Sequence, residues 1–130
     1  MRVLKVLTFC LATPVLAEGD PVAGEGVFRS FCAACHGLDA QGNGPMSGAL
    51  LVEPPDLTAL SQSNGGVFPV FDVVRQIDGR DPMMAHGGEM PLFGALFDFP
   101  DGSIASESGQ PIITAQPIAD VAAWLESIQD

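Results

Sequence analysis

Lysine is almost missing from this chain, and so is any apolar run of membrane-spanning length. Lysine and arginine together number 5 in 130 residues, against 16 aspartates and glutamates, for a formal net charge of −11. A basic face of the kind that grips nucleic acid cannot be assembled from so few cations. The apolar run over residues 6–16 has about eleven residues, where a bilayer-crossing helix needs about twenty. Cysteine is sparse as well, with 3 in the whole chain. Cys32 and Cys35 stand too close together to staple distant segments, so a disulfide scaffold is excluded. There is no internal repeat and no strand pattern beyond a weak one in "GQPIIT", residues 109–114.

What is present begins with a leader. Arg2 and Lys5 precede the apolar run, and Val15-Leu16-Ala17 places small residues at a cleavage position. This is the pattern of a secretory signal peptide over residues 1–17, leaving an exported, periplasmic domain over residues 18–130. Cys10 falls inside the leader, and the bulky Phe9 before it argues against lipid attachment. Lys5 leaves with the leader. The remaining chain then carries Arg29, Arg75 and Arg80 against all 16 acidic residues. That charge favours a partner with a basic docking patch, met quickly at low salt, and it also keeps an exported protein soluble.

Small exported domains have modest cores and need an organising element. The helical pattern is clear in three places. Asp20-Pro21 is an N-cap followed by a residue preset for the first turn, predicting a helix from Pro21 to about Ala34 that stops at Gly37. Gly24, Phe28 and Cys32 share one stripe of it. A second helix is expected in "VFPVFDVVRQIDG", with Phe71, Val74 and Ile77 as its apolar stripe and Gly79 as its end. The third lies in "TAQPIADVAAWLESIQ". Thr114 or a neighbour caps it, Pro117 sits in its first turn, and Ile118, Val121, Trp124, Leu125 and Ile128 form one face. Residues 37–66 and 80–113 read as loops, with short helical turns near residues 47–51 and 57–61. Loops of that length in a compact domain are normally functional.

The motif that explains them is "FCAACHG", residues 31–37. C-x-x-C-H is the attachment sequence for c-type haem. Thiols at i and i+3 of a helix lie on one face about 5–6 Å apart, within reach of one porphyrin edge. The next residue, His36, can then ligate iron through Nε2. Its Nδ1 should donate to a backbone carbonyl, for which Pro45 is the candidate. A redox-active thiol pair would sit near a βαβ pattern, which is absent. A structural zinc site needs four ligands, and Cys32, Cys35, His36 and His86 would have to include adjacent Cys and His. For the sixth iron position, "MMAHGGEMPLFG" at residues 83–94 offers Met83, Met84, His86 and Met90. Met90 precedes Pro91 in a Gly-bounded loop and is the favoured ligand, although a methionine can also merely fill a core gap. The same cluster has donors that suit copper(I).

These features together resemble a monohaem class I cytochrome c of the bacterial periplasmic type, over nearly all of the chain after the leader. The attachment motif carries the resemblance. In that family, a glycine and an aromatic placed like Gly24 and Phe28 let the first and last helices cross closely, and Trp124 and Val121 match the last-helix partners. "EPPDLT" and "MPLFG" resemble its Pro-rich segment and methionine-ligand loop. The resemblance implies an all-α fold, with three main helices and long loops around one covalent haem c. It implies Cys32 and Cys35 as anchors and His36 and Met90 as axial ligands. The function implied is electron transfer between partner proteins by Fe(II)/Fe(III) cycling, without catalysis by this chain. Residues 97–114 exceed what a minimal member needs and read as a surface loop or a partner-docking insertion. Arg75 or Arg80 could pair with a haem propionate. Two other readings stay open: a haem subunit of a larger oxidoreductase, and a sensor or peroxidase-like protein with an open sixth site.

Overall fold

The computed structural model describes residues 18–79, 90–97 and 99–130. Within them the chain forms five helices: α1 (Pro21–Phe31), α2 (Ala33–His36), α3 (Leu60–Ser63), α4 (Val70–Asp78) and α5 (Gln116–Ser127). Two strands, β1 (Gly102–Ala105) and β2 (Pro111–Thr114), precede α5. The expected count of three helices is therefore exceeded by two single turns, and a small sheet joins them. None of the described helices is long and apolar enough to cross a membrane. The expected leader, residues 1–17, lies outside the described residues.

The first and last helices form the frame. Asp20 caps α1 by accepting from the backbone N–H of Val22 and Ala23, and Pro21 opens the helix, because its missing N–H is one the first turn leaves unbonded anyway. A Cβ on Gly24 would strike the Asp120 carbonyl of α5 and lie 2.9 Å from Val121 N. Glycine is thus what lets the two backbones touch. Phe28 is 1 % exposed and stands 4.5 Å, centroid to centroid, from Trp124. Truncating a phenylalanine so placed costs about 3–5 kcal/mol, a large share of the roughly 5–15 kcal/mol that holds such a domain folded. The buried Asp120 carboxylate accepts from Asp20 N and from Gln116 Nε2, both at 2.7 Å. The crossing therefore has a polar seal at its edge.

Two expectations are corrected. α1 ends at Phe31, and Cys32 (φ −111°) separates it from α2, so the chain does not run as one helix to Ala34. On α4 the buried residues are Val70, Val74 and Ile77 with Asp78. Phe71 is exposed, its ring 5.5 Å from the Arg75 guanidinium carbon. Residue 71 stands at the margin of the face that Val70, Val74 and Ile77 bury, and Asp78, at nearly the same angle two turns on, is buried where Thr114 meets it. α5 is capped at Ala115, the neighbour of Thr114, within the expected positions, although its side chain makes no bond. Asp101 accepts from Gln116 N at 2.9 Å instead, and the Thr114 hydroxyl donates to Asp78 Oδ2 at 2.8 Å inside the core.

The largest correction concerns residues 97–114, which hold an antiparallel hairpin rather than irregular loop. Gly102 pairs with Thr114, and Ala105 with Pro111. Ser106 N bonds Gln110 O and Gly109 N bonds Ser106 O, both at 2.8 Å, to close the turn. The hairpin brackets α4. Glu107 accepts from Phe71 N at 3.2 Å at that helix's first turn, while Thr114 holds Asp78 at its last. An acidic side chain at a helix N-terminus is favourable there. β2 lies in the weak strand pattern of residues 109–114, whereas β1 buries three residues in succession and shows no alternation.

Gly24→Ala is expected to destabilise the protein by about 1–3 kcal/mol through forced separation of α1 and α5. Gly26→Ala, on the open side of the same helix with nothing within 4 Å, should be neutral or stabilising by up to about 1 kcal/mol. Denaturant titration of the two variants decides it: equal loss in both would remove the close crossing as the cause.

Candidate functional site

A helix of four residues has almost no bonds of its own, so α2 must be held from outside. Its last carbonyls show how. Ala33 O accepts from Gly37 N (2.9 Å), Ala34 O from Met46 N (2.9 Å), Cys35 O from Gly44 N (3.1 Å) and His36 O from Gly42 N (2.8 Å). Cys32 O takes Cys35 N at 3.1 Å and His36 N at 3.0 Å. Every carbonyl that a short helix leaves unbonded is thereby satisfied by the loop that follows it.

The residues of the loop make this possible. Gly37 and Gly42 both adopt φ of 80°, a region that side chains disfavour and glycine enters freely. A Cβ on Gly44 would lie 2.5 Å from Ala34 O and 2.6 Å from Cys35 O, so only glycine fits against the turn. The "EPPDLT" segment closes the outer side: Leu57 N bonds Ala40 O at 2.8 Å, and Asp56 accepts from Thr58 N at 2.9 Å.

On this turn Cys32, Cys35 and His36 come together, as expected. Both cysteines are free and half-buried. Burial, with a smaller contribution from Cys35, pushes the Cys32 thiol up to about 11, so it stays protonated at neutral pH. Burial also lowers the His36 pKa from its ordinary value, which keeps the imidazole neutral, the form that binds metal. The His36 ring lies 6.4 Å from that of Phe28. Its Nδ1 is buried and has no hydrogen-bond partner among the described residues. The expected donation to the Pro45 carbonyl is therefore not made. Pro45 is nonetheless held beside the motif, because the N–H groups on either side of it, from Gly44 and Met46, bond to α2. That grip comes from backbone and leaves the imidazole unpaired.

Met90 lies half-buried against the same hydrophobic core as Cys32. Phe93 N bonds Ile77 O at 3.0 Å and Gly94 N bonds Asp78 O at 2.9 Å, so α4 carries the Met90 segment. Phe31, next to Cys32, meets Phe97 edge-on at 5.4 Å and Phe93 at 6.3 Å, bringing that segment up to the attachment motif. The aromatic group was hidden in sequence because Phe31 is more than sixty positions from Phe93 and Phe97. Met83, Met84, His86 and Arg80 lie outside the described residues. A depression of about 400 Å³ beside the hairpin, lined in part by Glu18, Phe68, Ile104 and Glu126, includes none of the four candidate residues.

The residues suit a covalent haem. Two unpaired thiols flank a rigid turn, and a neutral imidazole with an unsatisfied buried nitrogen follows them. An orphaned buried nitrogen costs about 1–3 kcal/mol, and a ring that turns to bind metal through one nitrogen can place the other toward a carbonyl. Among the described residues no group of three or more His, Cys, Asp or Glu could hold a bare metal ion, which leaves the zinc alternative without a ligand set there.

Gly44→Ala is expected to lift the loop from α2 and destabilise the domain by about 1–3 kcal/mol. Gly48→Ala, in open space, should leave the denaturation midpoint unchanged. A pH dependence follows from His36. Its folded pKa is depressed below the ordinary 6.5, so protons favour the unfolded chain. Stability of the haem-free protein should be full above pH 6.5 and fall as the pH drops below it. A His36→Gln variant should flatten that slope in urea titrations across the range.

One family model, described as Cytochrome c, matches residues 21–129. No curated protein matches the chain.

Proposed function

From the premise that this chain belongs to the cytochrome c family, we propose that it is an exported electron carrier holding one haem c. Membership in the family implies haem binding and electron transfer. In the finer reading, Cys32 and Cys35 hold the haem by thioether bonds, and His36 and Met90 are its axial ligands. The bound iron supplies the one-electron Fe(II)/Fe(III) couple. The observation that carries the reading is the turn from Cys32 to His36, with its two free thiols and its unpartnered imidazole nitrogen.

The rest of the chain serves that turn. Loop 42–46 fixes the direction in which the thiols and the imidazole leave the backbone. Phe28 and Trp124 close the α1–α5 side against water. The Phe31, Phe93 and Phe97 rings dock the Met90 segment beside the motif. Rigid holding of both ligands lets the iron change charge with little rearrangement, which suits a carrier. With both axial positions filled there is no open site for a substrate, so the reading is of a protein that is not itself an enzyme. Export is supported by the leader pattern of residues 1–17. A partner with a basic docking patch is supported by the excess of 16 acidic residues over 5 basic ones.

The test is the visible spectrum of oxidised protein made in a host that attaches c-type haem. The weak long-wavelength sulfur-to-iron charge-transfer band is expected, and Met90→Ala should lose it and let the reduced protein bind carbon monoxide. A c-type spectrum without the band in the wild type would overturn methionine ligation and favour an open or histidine-filled site. Absence of covalent haem would sink the proposal.

A further inference from the structure

The last turn of α4 and the glycine that ends it meet the Met90 segment at four consecutive positions. Gln76 donates from Nε2 to Met90 Sδ at 3.9 Å. Ile77 and Asp78 hold Phe93 and Gly94 through their carbonyls. Gly79, at φ 64°, has the Leu92 side chain where a Cβ would stand. Two of these contacts fix backbone and the last fits around the Leu92 side chain. Only the first reaches the side chain on which ligation depends.

We infer that Gln76 is a positioning residue for the Met90 thioether, its amide engaging one sulfur lone pair while the other is left for iron. This rests on the reading of Met90 as axial ligand. Sulfur is large and a weak acceptor, so bonds to it are long and modest. The consequence is nevertheless specific. An N–H drawn to the sulfur withdraws electron density from it, and a poorer donor stabilises oxidised iron less than reduced iron. Hydrogen bonding to a ligand atom is one of the levers by which a protein sets the potential of its haem. The Gln76 bond should therefore hold the reduction potential up. It should also favour one orientation of the thioether, because the lone pair facing the amide is no longer free to turn toward the metal.

The plain alternative is that Gln76 is a solvated amide on the outer face of α4, where it is exposed. That same exposure makes the experiment clean, since its removal leaves the core untouched. Haem-loaded Gln76→Leu is compared with wild type and with Gln62→Leu, an exposed glutamine on α3. The midpoint potential and the sulfur-to-iron band are measured, with thermal denaturation as a check on folding. Gln76→Leu should lower the potential, raising the oxidised-to-reduced ratio at a fixed poise by about two- to tenfold, the size of one ordinary hydrogen bond. It should shift the band and leave the thermal midpoint in place, while Gln62→Leu moves none of the three. An unchanged or raised potential in Gln76→Leu overturns the inference. Met90→Ala separates the two levels. If it removes the band while Gln76→Leu is silent, the inference alone fails. If it retains the band, the ligand reading fails and takes this inference with it.

Discussion

The geometry of the site depends on four backbone hydrogen bonds. A turn as short as Ala33–His36 cannot hold itself, and its carbonyls are bonded by the N–H groups of Gly37, Gly42, Gly44 and Met46. Those bonds orient two thiols and an imidazole relative to one another. They also explain why glycine recurs after the motif: two of the positions need a positive φ, and a third has no room for a Cβ. The loop is therefore a mould for the turn, which is why its length is compatible with a small domain.

A second set of constraints converges on α4. The hairpin reaches both ends of this helix, through Glu107 at Phe71 N and Thr114 at Asp78. The helix in turn carries the Met90 segment through Ile77 and Asp78. Residues 102–114 thus brace α4, one step removed from the Met90 segment. The two halves of the candidate site, the Cys32–His36 turn and the Met90 segment, meet through Phe31 against Phe93 and Phe97. The α1–α5 crossing at Gly24 and Phe28 underlies both, because α1 leads directly into the turn.

Much of this was legible in the chain itself. Asp20-Pro21 marked the start of α1 as observed, and Gly79 the end of α4. The stripe of Gly24 and Phe28 pointed to the face that α5 covers. Of the hairpin only β2 showed, as the weak pattern at residues 109–114, because four-residue strands stabilised by docking carry little periodicity of their own. Which of Thr114 and its neighbours caps α5 could not be read locally, because Thr114 has a buried acidic partner, Asp78. The contact between Gln76 and Met90 left no trace in any pattern, since an exposed glutamine on a helix looks like solvated surface until its neighbour is known.

Read alone, the sequence determined the chemistry available: the C-x-x-C-H spacing, a methionine followed by proline, the acidic balance and the helical periods are properties of neighbours along the chain. It could assign residue types to a purpose because that spacing matches one cofactor's requirements. The tertiary structure decided what depends on contacts between distant segments: which amides cap α2, that Pro45 lies beside the motif without bonding His36, that the hairpin braces α4, and that an amide reaches the Met90 sulfur. Local propensity carries no information about such partners, because each bond joins groups whose positions are set only when the whole core has packed.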